Sequence, residues 1–267
     1  MDKNDLKVLI DKELITDVNL VNDLLNSDDL SNISVDKLTS MGILTNVVVN
    51  THLKEHGINA LTPILTQTDL VERLKQNSTI KLTNDIQLDD CLIIDESMDV
   101  TIDLNGYNIT SGLFTEASGS IKEGDTDSFV FWNKGGKLTI KGSGKIQSQD
   151  AKYSMAVWAS AGEVNIYGGD FYNGGVGCDL IYASGTGAVN IYGGYYEATL
   201  KGNAEGTANK RSALNLKDRD KKTASIKVMG GSFYEFNPAD NVSESPAMSF
   251  VAEGYTVEVD GLIYKVV

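Results

Sequence analysis

Aspartates on either side of an arginine are the first residues in this chain that could perform catalysis. The run KDRDKK at 217–222 places Asp218 and Asp220 next to Arg219, a combination that a polysaccharide lyase could use, and Asp179 is a further acid for such a reaction. The mixed charges of the run are more typical of a solvated loop. No nucleophile-elbow or phosphate-loop motif accompanies them. We therefore predict no catalytic residue.

Histidines and cysteines are the residues that could bind a metal. His52 and His56 stand four apart in NTHLKEHG, a spacing that could ligate a metal on a helix, but a third ligand is missing nearby and the run is not HExxH. A solvated helix face explains the pair better. Cys91 and Cys178 are far apart and form neither a zinc pattern nor a disulfide framework, so we expect both to be reduced and unreactive. We predict no metal and no cofactor.

Aromatic side chains are the best candidates for binding, because a sugar ring can stack on them. The candidates are Trp132, Trp158, Tyr167 and Tyr192. The two tyrosines belong to near-copies of one phrase, VNIYGGDFYNGG at 164–175 and VNIYGGYYEATL at 189–200. The phrase is either a binding site used twice or one unit of a structural repeat, and we favour the repeat. In that case the aromatics could instead pack against loops or against another subunit. Of these two roles we favour packing against another subunit.

An internal repeat extends through the rest of the chain and must position these residues. From Ile140 to Ile166 is 26 residues, and from Ile166 to Ile191 is 25. The steps from Ile102 to Ile140 and from Ile191 to Val228 are 38 and 37 residues, and each contains a polar loop that accounts for the excess. A period of about 25 residues is too short for a propeller blade, which needs roughly 40.

Each repeat contains three short β-rich runs, which predicts a mainly β fold, a parallel β-solenoid with coils of about 25 residues. Alternation predicts that Val164 and Ile166 point inward and that Tyr167 points outward. The glycine pair 168–169 would form a corner, and Phe171 would start the next wall as part of an inward aromatic stack. Like residues then lie over one another in successive coils and stabilise the stack.

Stacking the coils also tests whether acids could work as a pair. Glycoside hydrolysis usually needs two carboxylates roughly 5 to 9.5 Å apart. In the predicted register each of three acids faces a residue that is not acidic: Asp170 faces Tyr195 and Ser232, Glu163 faces Ala188 and Ser225, and Glu197 faces Tyr172 and Tyr234. This lack of pairs argues against a hydrolase.

The N-terminal part of the chain differs from the repeat in composition and in its pattern of apolar residues. Residues 1–65 are polar and mixed, helical in tendency at first, and too poor in apolar residues for an independent core, which indicates an anchoring or oligomerising segment. The run at 66–77 predicts a short capping helix, because Leu70, Val71 and Leu74 share a face. Thr66 or Thr68 is its predicted N-cap. The β-helix itself is predicted over 66–240.

The C-terminal segment at 241–267 breaks the repeat. YTVEVDGLIYKVV alternates on both sides of Asp260-Gly261, which predicts a β-hairpin with a type I′ turn. Such a hairpin would cap the exposed edge of the last coil, where uncovered strands invite association.

Composition narrows the choice of partners. The 267 residues carry 23 basic and 37 acidic side chains, a net charge of −14, which argues against binding a nucleic-acid backbone. No apolar run approaches the ~20 residues of a membrane helix. The first residues lack the pattern of a signal peptide, so we expect synthesis in the cytoplasm and no membrane partner.

The closing segments, GGSFYEFNPADN and FVAEGYTVEVDGLIYKVV, resemble those of bacteriophage virion proteins with a right-handed parallel β-helix, such as head fibres, capsid spikes and tail spikes. The resemblance covers about residues 66–267. It implies a homotrimer located in the virion, attached to a capsid or tail protein through 1–65, which could contact host-surface glycans. The chain is short for a depolymerising spike. The alternatives are a small polysaccharide-degrading tail spike, lyase or hydrolase, and a secreted bacterial adhesin.

Overall fold

The computed structural model describes residues 66–76, 79–114, 126–174, 179–199, 212–217, 220–240 and 248–267. These residues belong to one compact unit, Ile64–Val267. The predicted anchoring segment 1–65 lies outside the described residues. The same is true of most of the two polar loops that lengthen the repeat.

The described residues form one helix and 17 strands, numbered here in chain order. The helix α1 is Gln67–Leu74, and the strands are β1 Thr79–Lys81, β2 Ile86–Gln87, β3 Leu92–Ile94, β4 Asp99–Asp103, β5 Ile109–Thr110, β6 Asp127–Lys141, β7 Lys145–Gln147, β8 Tyr153–Ile166, β9 Asp170–Tyr172, β10 Ile181–Ala183, β11 Ala188–Ile191, β12 Tyr195–Glu197, β13 Leu214–Leu216, β14 Ser225–Val228, β15 Gly231–Tyr234, β16 Val257–Asp260 and β17 Ile263–Val266.

The strands belong to two sheets, of nine and eight strands. Every pair in the first sheet is parallel, and so are the pairs of the second sheet up to β15. Pairing follows the predicted period: Ile102 lies opposite Ile140, and Ile166 lies between Ile140 and Ile191. The fold is therefore mainly β and built from parallel sheets, as the repeat predicts.

Two of the predicted runs are joined in the structure. The sequence predicts separate short strands in each repeat, but β6 and β8 are continuous over 15 and 14 residues. Their register shifts between Asn133 and Lys137, where Gly135 has a φ of 146°. A bulge there bends the strands without ending them.

A single buried cluster contains side chains of both sheets. Val164 and Ile166 are fully buried in it, as the alternation predicts. The predicted aromatic stack is present: the ring centroids of Phe171 and Tyr196 are 5.0 Å apart, and those of Tyr196 and Phe233 are 4.7 Å apart. The buried Tyr196 hydroxyl donates a hydrogen bond to the Gly193 carbonyl at 2.8 Å, so the only polar atom of that ring is satisfied.

The glycine pairs between the sheets are required for two different reasons. Gly194 has a φ of 103°, which a side chain would strain. Gly193 lacks this φ, but a Cβ there would lie 2.7 Å from the carbonyl oxygen of Tyr167 in the neighbouring repeat. One glycine makes the bend, and the other lets two backbones approach each other.

Helix α1 has Thr66, one of the two predicted N-cap candidates, as its N-cap, and it ends at Leu74, earlier than predicted. Thr66 Oγ1 accepts from the Asp69 N–H at 3.2 Å, while the Thr66 N–H donates to Asp69 Oδ2 at 3.0 Å, a capping box. Leu70 and Leu74 are buried in the main core. No helix among the described residues is long and apolar enough to cross a membrane.

The C-terminal hairpin covers the edge of the second sheet, because β17 pairs antiparallel with β15 and with β16. The predicted turn is wrong in position and type. Asp260 pairs with Ile263, so the turn residues are Gly261 and Leu262. Of these two only Gly261 has a positive φ, 59°, which is the pattern of a type II′ turn with glycine first.

Candidate binding surfaces

Trp132 and Trp158 lie opposite each other on β6 and β8 and form a closed pair. Their rings are stacked at 4.5 Å with an interplanar angle of 8°. Each indole N–H donates to a serine hydroxyl of the next repeat, Ser160 for Trp132 and Ser184 for Trp158, both at 2.9 Å. The Lys134 ammonium lies 3.7 Å from the Trp132 ring centroid. The faces of the Trp132 ring therefore already have partners.

Both tryptophans are half-buried in a second, smaller apolar cluster. Phe129 packs edge-on against them, with centroid distances of 6.3 Å to Trp132 and 5.4 Å to Trp158. Cys91 and Met155 complete the buried part of this cluster. The pair thus serves the packing of the first sheet.

Tyr167 and Tyr192 form the more exposed pair, with 54% and 40% of their surface accessible. The rings stack at 4.5 Å with an interplanar angle of 4°. Partial burial raises the pKa of the Tyr192 hydroxyl, and Tyr167 and Glu163 add to the shift. Each ring therefore covers one face of the other.

Polar side chains beside these tyrosines are also paired along the repeat. Asn190 Nδ2 donates to Asn165 Oδ1 at 3.1 Å, and Asn165 Nδ2 donates to Glu163 Oε1 at 2.5 Å. Asn165 lies directly opposite Asn190 in the sheet, as the repeat predicts. This amide ladder uses its hydrogen-bonding groups within the protein.

The acids are arranged as the predicted register requires. Asp170 lies opposite Tyr195, Glu197 opposite Tyr172, and Glu163 opposite Ala188. None of these three acids therefore faces a second acid directly across the sheet.

The other acids considered for catalysis have structural partners where they are described. Asp179 is buried and accepts a hydrogen bond from Asn215 Nδ2 at 2.6 Å. Asp220 accepts from the Gly185 N–H at 2.9 Å. Asp218 and Arg219 lie outside the described residues.

A further aromatic surface was not predicted. It lies on the outer side of the second sheet, and we name it the tyrosine–carboxylate face: Asp170, Tyr172, Tyr195, Glu197, Ser232 and Tyr234. The rings of Tyr172 and Tyr195 are 6.0 Å apart and tilted by 50°. The Tyr195 hydroxyl donates to Glu197 Oε2 at 2.8 Å, and the Lys145 ammonium lies 4.5 Å from the Tyr172 ring centroid.

The signal for this face was present in the alternation of the third run of each repeat. Once Phe171 is placed inward, Asp170 and Tyr172 must point outward, and the same holds for Tyr195 and Glu197 around Tyr196. Matching identical residues between repeats does not reveal these tyrosines, because each of them lies opposite an acid or a serine.

Metal and thiol chemistry find little support in the part of the chain that the structure describes. It contains no group of three or more His, Cys, Asp or Glu side chains that could hold a metal ion. Cys91 is a free, buried thiol, whereas Cys178, His52 and His56 lie outside the described residues.

No protein-family model, curated protein or solved structure matches the chain. Similarity to known proteins therefore indicates no function for this chain.

Proposed function

We propose that this protein is a structural component of a bacteriophage virion, a homotrimeric head fibre or spike that residues 1–65 attach to the capsid or tail. In this proposal the two parallel sheets are walls of a right-handed parallel β-helix. A fibre at the particle surface would also meet host-surface glycans.

The observation that carries the proposal is the stacking of like residues across the repeats. Isoleucines lie over isoleucines in the core, Trp158 over Trp132, and Tyr192 over Tyr167. Such ladders give each repeat its stability through its neighbours, which suits a rod. The helix at one end and the hairpin at the other cover strands that would otherwise associate edge to edge.

Measuring the mass of the full chain in solution tests the assembly. Light scattering after size-exclusion chromatography should give three times the chain mass of 28.8 kDa at micromolar concentration. A stable monomer would overturn the trimer. An antibody against the chain should also label virions in electron micrographs. Virions that stay unlabelled, while the chain is found only free in the lysate, would contradict its place in the virion.

The degrading-spike alternative is separated by a second assay. The full chain should leave capsular polysaccharide at its original length during incubation. Shortened chains would favour the enzyme instead, and alanine at Asp179, Asp218 and Asp220 would then show whether these acids are responsible.

A further inference from the structure

Tyr167 and Tyr192 are placed so that their rings can react with each other. They directly follow Ile166 and Ile191, which lie opposite each other on β8 and β11, and the Tyr192 N–H donates to the Ile166 carbonyl at 2.8 Å. Because the strands are parallel and in register, both tyrosine side chains leave the sheet in the same direction. The two isoleucines are fully buried, so the backbone beneath the tyrosines is held in place.

The ring carbons that could form a bond lie side by side. The two ring planes are parallel within 4°, and the ring centroids are 4.5 Å apart. After partial burial, Tyr167 is the next contributor to the raised pKa of the Tyr192 hydroxyl, which agrees with hydroxyls that lie at the same end of the pair. The ring carbons next to the two hydroxyls therefore lie close together.

Both rings are also open to a reagent in solution, since 54% of Tyr167 and 40% of Tyr192 are exposed. A second tyrosine pair, Tyr172 and Tyr195, lacks this arrangement: its rings are 6.0 Å apart, tilted by 50° and only partly exposed. Tyr196 is fully buried and packs between two phenylalanines. Close parallel contact and access from solvent thus coincide at Tyr167 and Tyr192.

We propose that Tyr167 and Tyr192 form a site of oxidative cross-linking, at which a haem peroxidase with hydrogen peroxide converts the pair into dityrosine. The new bond ties two successive repeats together and stabilises the fold. The site rests on the stacked pair and is independent of the proposed place in a virion.

The reaction balances with one hydrogen peroxide for each bond. Each phenol gives one electron to the oxidised peroxidase and its hydroxyl proton to water, and becomes a phenoxyl radical. The two radicals join through the ring carbons next to the oxygens. Each of these carbons then loses its hydrogen as a proton while each oxygen gains a proton, which restores both aromatic rings and both hydroxyls. The two electrons and two protons released reduce hydrogen peroxide to two waters.

The bond should act on stability mainly through the unfolded chain. Tyr167 and Tyr192 are 25 residues apart in the sequence, so linking them closes a loop that the unfolded chain would otherwise leave open. Closing such a loop lowers the conformational entropy of the unfolded state. Since each repeat depends on its neighbours for stability, a bond between two of them strengthens an interface that the fold already uses.

Peptide mapping tests the site. The full chain at micromolar concentration is treated with a haem peroxidase and hydrogen peroxide, digested, and searched for linked peptides by mass spectrometry. We expect the principal link to join Tyr167 to Tyr192 within one chain. Tyr167→Phe and Tyr192→Phe should each lower the dityrosine fluorescence at least about fivefold, because the partner held in place is lost.

Tyr195→Phe and Tyr255→Phe are the matched controls. The first removes one ring of the tilted pair, and the second removes a hydroxyl that also contributes to the raised pKa of Tyr192. Each should keep the dityrosine yield within about twofold of the wild type. Circular dichroism of each variant checks its fold. A principal link to any other tyrosine, links mainly between chains, or an unchanged yield in Tyr192→Phe would each overturn the site.

Thermal unfolding tests the stabilising role of the bond. The linked protein is compared with the same chain exposed to hydrogen peroxide alone, so that other oxidation is equal in both samples. We expect the unfolding temperature of the linked protein to be higher by about 3 °C or more. An unchanged or lower unfolding temperature in linked protein would overturn this role.

Discussion

At the scale of single residues, what a ring faces across the sheet decides what it can do. The stacking of Tyr167 on Tyr192 could be predicted from the sequence, because identical phrases at a fixed period place identical residues together. That stacking also covers one face of each ring. The tilt of Tyr172 against Tyr195 could not be predicted, since it depends on unlike neighbours and on the bond from Tyr195 to Glu197.

Cys91 should make the protein less stable in alkaline solution. Burial and then Asp90 raise the pKa of its thiol from 9.0 to about 12. As pH rises through this interval the unfolded chain loses the proton first, so it binds fewer protons than the folded chain and the free energy of unfolding falls. Between pH 8 and pH 10 we expect urea unfolding to show a fall that is smaller in Cys91→Ser, by about 1 kcal/mol.

Tyrosines also titrate in this interval, so the comparison between variants is what measures the thiol. Cys178→Ser is measured alongside, so that any contribution of the second thiol to the pH dependence is separated from that of Cys91. Equal slopes for Cys91→Ser and wild type would contradict the prediction.

At the scale of elements, the corners between the two sheets depend on the close approach of neighbouring backbones. We expect Gly230→Ala to lower the free energy of unfolding by about 3 kcal/mol, because its Cβ would lie 2.2 Å from the Tyr192 carbonyl oxygen and neither backbone can yield easily. Gly261 in the hairpin turn is the matched comparison. Its φ is 59° and nothing lies within 4 Å of a Cβ there, so Gly261→Ala should cost only about 1 kcal/mol of backbone strain.

Chemical denaturation of both variants measures the difference. An equal loss of stability in the two would mean that the corner relaxes and that close approach is unimportant.

The same elements show which features the sequence pattern does not predict. The repeat places the glycine pairs correctly, whereas the hairpin turn moves by one residue because the pairing of Asp260 with Ile263, rather than the Asp-Gly motif alone, sets its position.

At the scale of the molecule, the periodic part of the fold could be read from the sequence and the aperiodic part could not. The predicted register of Ile102, Ile140, Ile166 and Ile191 agrees with the sheet because each residue has a counterpart one coil away. The continuous strands β6 and β8 were missed, since a bulge and a turn both use glycine. The polar insertions have no counterpart in other repeats, so no stacking rule fixes their course.

The C-terminal hairpin should protect the molecule against association through sheet edges. A chain that ends at Ala252 would lose β17 and expose the backbone edge of β15, Gly231–Tyr234, to which β17 now pairs. Uncovered parallel strands are templates for further pairing, so sedimentation velocity should show species that are larger than the full-length assembly and grow with concentration.

Val259→Thr in the full-length chain separates the loss of pairing from the loss of apolar surface. Val259 lies on β16 and is 62% exposed, so this change alters the hairpin surface while leaving β17 paired with β15. It should sediment like the wild type. If the shortened chain kept its far-ultraviolet circular dichroism and also sedimented as the full-length assembly does, the hairpin would not be needed as an edge cover. The turn that follows β15, where Glu235 takes a φ of 50°, would then have to prevent edge pairing by itself.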